Sequence, residues 1–224
     1  MRMIAFTDFH GDAEAYERAR QLIHSGKWSC VVVAGDIVNY NSELAKARLA
    51  ELAQNGVPLF FVPGNMDNPE LSQWPGANSV RALHGRSATV EGIVLVGLGG
   101  SPPGPFSTPF EVPEENAARM LNQASAGFDK GRLVLVSHCP PKNTKLDLVP
   151  IGGHAGSMAV RGFVEKFKPA LVVSGHVHEA KGVDSIGETT LVNTGPAKDG
   201  NYADITLEEN VSVRLGNFLR QQLR

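Results

Sequence analysis

The chain has 224 residues, of which 42% are hydrophobic and 20% charged, and its formal net charge is −2. This is enough chain for one domain with a sizeable core, in the ordinary balance of a globular protein. The charge excludes the basic field that draws proteins to nucleic acid, and no window approaches the length of a membrane span, so neither is an expected partner.

Residues 2–7 read as a buried strand, followed by a helix over 12–25 with Asp12 as N-cap; Ala15, Ala19, Leu22 and Ile23 share one face and Gly26 ends it. Residues 30–34, Cys-Val-Val-Val-Ala, form the continuous apolar run of a strand covered on both sides. Ser42 is placed to cap a second helix through about Gln54, stopped by Asn55-Gly56, and residues 58–62 form a third strand. This β-α-β-α-β order predicts a parallel sheet with right-handed crossovers.

Short strands are expected at 79–83, 87–91 and 93–98, the last two joined by a turn at Glu91-Gly92. The segment 99–113 is a Gly-, Pro- and Ser-rich loop whose Phe106 and Phe110 are expected to pin it to the body; a helix follows over 113–125 with Pro113 in its first turn. Residues 132–137 are another buried strand, 139–156 a second long loop, 157–167 a helix and 170–174 a strand. The tail, 181–215, alternates short strands with turns at Gly187 and 208–210, and a short C-terminal helix closes the chain. With no repeat or linker in view, residues 1–224 read as a single domain.

The polar residues that follow these strands carry the chemistry. The strand ending at Thr7 delivers Asp8 and His10, and those ending at Ala34 and Val62 deliver Asp36 and Asn65. The strand ending at Ser137 delivers His138, and the one ending at Ser174 delivers His176 and His178. Ligands bind beyond the carboxyl ends of strands in open α/β sheets, so these residues are expected along one sheet edge. Asp8 and His10, like His176 and His178, are two apart, which in extended backbone points both side chains the same way. Oxygen and imidazole donors without cysteine suit two divalent transition-metal ions, Mn favoured, with Fe, Zn, Ni or Co as alternatives. Seven side chains are too many for one ion, and two ions roughly 3.5–4 Å apart are the usual device for in-line phosphoryl transfer.

In order, the segments are Asp8-Phe9-His10, Gly35-Asp36, Gly64-Asn65-Met66-Asp67, His138 and Gly175-His176-Val177-His178. This combination resembles the calcineurin-like metallophosphoesterases, in their small single-domain phosphodiesterase branch. The resemblance implies a four-layer α/β/β/α sandwich. By motif position it implies one ion held by Asp8, His10, Asp36 and His178 and another by Asp36, Asn65, His138 and His176, with Asp36 bridging and a bridging hydroxide attacking phosphorus in line. Where the family motif has a histidine after the asparagine, this chain has Met66, which can neither stabilise the phosphate nor protonate a leaving group. Asp36, Asn65, Asp67 and His154 are the candidate catalytic residues, His154 because it lies in a Gly-rich loop where it could replace the missing imidazole. Ser157 is placed either to bind phosphate at a helix N-terminus or simply to cap it.

The expected function is a metal-dependent phosphodiesterase acting on a small phosphate ester. The alternatives are a phosphomonoesterase or nucleotide pyrophosphatase on the same site, or a catalytically weak metal-binding interaction scaffold of the same fold. The apolar part of Met1–Asp8 is too short for a signal peptide, and the two cysteines match no zinc or redox spacing. The cytoplasm is the expected compartment; a homo-oligomer is compatible with the sequence.

Overall fold

A computed structural model describes residues 1–54, 56–128, 133–150 and 152–220. The apolar run Cys30–Ala34 is buried at every residue, and its alternate side chains enter two different cores. Val31 and Val33 pack with Ala15, Ala19 and Leu49 of the first two helices, whereas Cys30, Val32 and Ala34 pack with Val134, Val136 and Val173 of other strands. A strand with this double burial lies between a helical layer and a second sheet.

The strands are β1 (Arg2–Phe6), β2 (Cys30–Ala34), β3 (Leu59–Val62), β4 (Val80–Ala82), β5 (Ser87–Val90), β6 (Ile93–Leu98), β7 (Leu133–Ser137), β8 (Leu171–Ser174), β9 (Gly182–Ile186), β10 (Thr189–Asn193), β11 (Asn201–Leu207) and β12 (Val211–Asn217). The helices are α1 (Ala13–Ser25), α2 (Ser42–Leu52), α3 (Glu114–Ala124) and α4 (Met158–Phe167). One sheet has the order β12-β11-β1-β2-β3-β4 and the other β5-β6-β7-β8-β10-β9. α1 and α2 cover the first sheet, and α3 and α4 cover the second, where Leu133, Leu135 and Val172 meet Leu121, Val160 and Phe163. The layers are therefore α/β/β/α, as the family resemblance implies.

The expectation of one sheet edge is corrected by this topology. β1, β2 and β3 are parallel in the first sheet, but β7 and β8 belong to the second. An apolar run reports that both faces are buried, not which strand lies beside it. Boundaries differ slightly. Asn41, not Ser42, caps α2, its side chain accepting from the Leu44 N–H at 3.0 Å. Pro113 sits at the N-cap of α3 rather than in its first turn. Asn55 and Arg132 lie outside the described residues. After residue 215, where the C-terminal helix is expected, β12 instead runs on to Asn217, and residue 221 onward lies outside the described residues.

Candidate metal centre

Both sheets send their strand ends to the same place. β1, β2 and β3 lead into Asp8, Asp36 and Asn65, and β7 and β8 lead into His138 and the pair His176 and His178. The backbone there is not extended: φ is 53° at Asp8, 47° at His10, 49° at Asp36 and 68° at His176. This corrects the same-face reasoning for residues two apart. His178 Nε2 lies 3.4 Å from Asp8 Oδ1, while His176 Nδ1 turns to Asn65 Oδ1 at 2.9 Å. Two glycines allow the crowding. A Cβ on Gly64 would overlap the Asp36 carboxylate, and one on Gly175 would overlap Thr7 and Asp8.

Asp8 has its two oxygens in different roles. Oδ2 accepts from the Thr7 hydroxyl at 2.7 Å and the His176 N–H at 3.0 Å. Oδ1 is buried and makes no hydrogen bond. Its neighbours are the Nε2 atoms of His178 and, at 3.9 Å, His10, which are themselves 3.3 Å apart. His10 Nδ1 faces Asn39 Oδ1 at 3.0 Å, and His138 Nδ1 faces the Ala34 carbonyl at 2.8 Å. Both oxygens only accept, so each ring donates through Nδ1 and, when neutral, turns a lone pair inward at Nε2. For His138 that lone pair meets Asn65 Oδ1 at 2.9 Å. Acceptors facing acceptors around an unpaired carboxylate oxygen are what a cation would satisfy, so the residues present fit divalent ions.

Two groups among the described residues bring donor atoms within 4.8 Å of one another: Asp8, His10 and His178, and Asp8, Asp36 and His138. Asp36 Oδ2 is 3.7 Å from His10 Nε2 and Oδ1 is 3.6 Å from His138 Nε2, so this carboxylate spans both groups. The Met66 N–H holds Asp36 Oδ1 at 2.8 Å.

Burial and the charge of Asp8 push the Asp36 carboxyl up to about 7. Burial also acts on Asp8, but the His178 ring, the charges of His138 and His178 and the Thr7 hydroxyl outweigh it and keep that carboxyl well below its usual range. Burial, aided by His138, depresses His176 to about 3 and keeps it neutral. His178 is raised, chiefly by its contact with Asp8.

All seven residues expected as ligands are brought together. Asp67 is buried completely and accepts from the N–H groups of Gly64 at 2.8 Å, Val38 at 2.9 Å and Ile37 at 3.1 Å, tying the loops after β2 and β3. His154 is paired elsewhere: its Nδ1 lies 2.7 Å from Oδ1 of the buried Asp147. Ser157 caps α4, and Glu114 takes the same helix end, accepting from Ser157 Oγ and the Met158 and Ala159 N–H groups, so the donors a phosphate would need there are already engaged by a carboxylate. Phe106 is 87% exposed and does not pin the loop; Phe110 does so instead, its ring tilted against His84 with centroids 5.1 Å apart and its N–H donating to the Asn65 carbonyl. Sequence reasoning passed over Thr7 and Asn39, which orient Asp8 and His10; Thr7 adjoins Asp8 and Asn39 follows Asp36 by three residues, the one available signal.

A family model for calcineurin-like phosphoesterases matches residues 1–180. The uncharacterized protein MJ1162 of Methanocaldococcus jannaschii is 33% identical over 202 residues, 88% of this chain and 88% of that protein. Among solved structures, TT1561 of Thermus thermophilus superposes with a TM-score of 0.74 at 20% identity, over 97% of this chain and 98% of that one. A novel archaeal phosphodiesterase superposes at 0.57 and 11% identity, over 97% and 99%. At these identities the two solved structures show the fold alone.

Proposed function

The chain belongs to the calcineurin-like phosphoesterase family, and from that premise we propose that it is a metal-dependent phosphodiesterase with a dinuclear centre. One ion would be held by Asp8, His10, Asp36 and His178, the other by Asp36, Asn65, His138 and His176, with Mn favoured. The observation that carries this reading is Asp8 Oδ1, buried without a hydrogen bond among imidazole nitrogens. Divalent ions bound there supply Lewis acidity, acidifying a water and offsetting charge on phosphoryl oxygens.

The chain's own residues do the rest. Thr7 and the His176 N–H fix Asp8, the Met66 N–H fixes Asp36, and Asp67 holds the two loops that carry Asp36 and Asn65. The Met66 side chain is a thioether and gives no proton to a leaving group. General acid catalysis is worth about 10²–10⁴-fold, so a diester whose leaving group departs as a stabilised anion suits this site better than an alkyl monoester whose alkoxide needs a proton. His154 is held by Asp147 and one-third exposed; that pairing ties it to its own loop, so its proposed role as a replacement for the missing imidazole rests on the sequence alone.

Metal-stripped protein restored with Mn²⁺, Ni²⁺, Zn²⁺ or Mg²⁺ should hydrolyse bis-p-nitrophenyl phosphate faster than p-nitrophenyl phosphate, and Asp36→Asn should abolish both. Equal or faster turnover of monoesters sinks the diesterase reading. No turnover with any ion, in folded protein that binds two of them, sinks the enzyme.

A further inference from the structure

Asn193, at the end of β10, is buried completely and uses both ends of its amide. Oδ1 accepts from the Gly195 N–H at 2.9 Å. That fixes the amide's orientation, because an N–H there needs an acceptor. Nδ2 then reaches three carbonyls: Val177 at 2.8 Å, and Gly175 and Leu146 at 3.3 Å each.

Gly175 and Val177 flank His176. The Val177 N–H donates to the Gly175 carbonyl at 2.8 Å, and φ at His176 is 68°. This is a three-residue γ-turn of the strained hand, rare for any residue with a side chain. Such a conformation persists only where its surroundings over-determine it. Two of the restraints come from the site itself, the His176 N–H on Asp8 Oδ2 and the Gly175 N–H on the His138 carbonyl. The third is the Asn193 amide, which holds the carbonyls on both sides of the turn at once. Its contact with Leu146 ties the same turn to the loop that carries Asp147 and His154.

We propose that Asn193 is a positioning residue: it locks the strained turn so that His176 and His178 meet their ions already in place. Without the lock the turn relaxes toward ordinary backbone, and ion binding must restore it. The role presupposes bound ions and so rests on the reading above.

The test is a calorimetric titration of metal-free protein with Mn²⁺ and, separately, Zn²⁺, together with melting in the presence and absence of ion. Asn193→Ala removes the lock, Asn193→Asp puts an acceptor against three carbonyls, and Asn193→Ser keeps one short donor. Thr189→Val on the same strand is the control, since its buried hydroxyl has no partner. The Asn193 variants should bind ions about 10–100-fold more weakly, as partners of metal-binding histidines typically do when lost, and gain less melting temperature from the ion; the control should match wild type in both. Should the alanine variant fail to fold, the serine variant decides. Any folded Asn193 variant that binds both ions with the wild-type Kd overturns the role. Wild-type protein that takes up no ion removes the metal-centre reading and this role together. Wild-type protein that binds ions without hydrolysing esters removes only the enzyme, and the variants' Kd still decides here.

Discussion

Metal uptake should depend steeply on pH, with the steepness set by Asp36. Its carboxyl is pushed up to about 7 in the metal-free fold, by burial first and by the charge of Asp8 second. Below that value the group holds a proton that an incoming ion must expel. The sign is therefore fixed: affinity rises with pH and levels off above about 7. At pH 5 the competing proton alone weakens binding roughly 100-fold, about 2.7 kcal/mol at 1.36 kcal/mol per unit. His178, raised by Asp8, adds to the slope in the same direction. The measurement is a titration of chelator-treated protein with Mn²⁺ at pH 5, 6, 7 and 8, repeated in two buffers of different ionisation enthalpy to count released protons. Asp36→Asn should flatten the curve by one proton while lowering affinity at pH 8. A Kd unchanged between pH 5 and 8, or proton release identical in wild type and Asp36→Asn, refutes the reasoning. The same shift acts on the metal-free fold: Asp36 contributes stability fully below its unfolded value of 3.8 and loses it as pH rises through about 7.

Two other outcomes follow from groups away from the ions. His84 is depressed to about 4, by burial and then by Arg86, and its Nδ1 accepts the Gly99 N–H at 2.9 Å. Above pH 6.5 it is neutral folded or unfolded, but as pH falls toward 4 the unfolded chain takes a proton the fold refuses. Melting of metal-free protein should show wild type losing about 3 kcal/mol more than His84→Asn between pH 7 and pH 4; parallel curves count against it. Glu114→Ala should destabilise the protein by about 1–2 kcal/mol, the worth of a helix cap, because it frees the Met158 and Ala159 N–H groups at the start of α4. Urea denaturation with a midpoint within error of wild type would contradict that.

Much of this architecture is legible in the chain. Cys30–Ala34 and Leu133–Val136 announce strands because double burial removes every polar side chain from them. The candidate ligands announce themselves because Asp, Asn and His directly after such runs have no place in the core. Pairing partners are not written in either run: β10 joins β8 in parallel, and β1 is flanked by β2 and by β11. The left-handed backbone at Asp8, Asp36 and His176 is equally hidden, because the residue types alone do not demand it. Asn193 carries no signal in the sequence, and its place becomes visible only when the carbonyls of Leu146, Gly175 and Val177 converge on its amide.

The position of β1 has a consequence for synthesis. This central strand, which leads straight into Asp8, pairs Arg2 with Thr206, and α1 packs beside the turn at Ala197–Asp199. On a ribosome adding roughly 5–20 residues per second, β1 waits on the order of 10–40 seconds for its second neighbour. Throughout that interval the first sheet can grow only from β1 toward β4, with the other edge of β1 open to any passing strand. Those seconds are when the nascent chain needs shielding, and they end when β11 arrives.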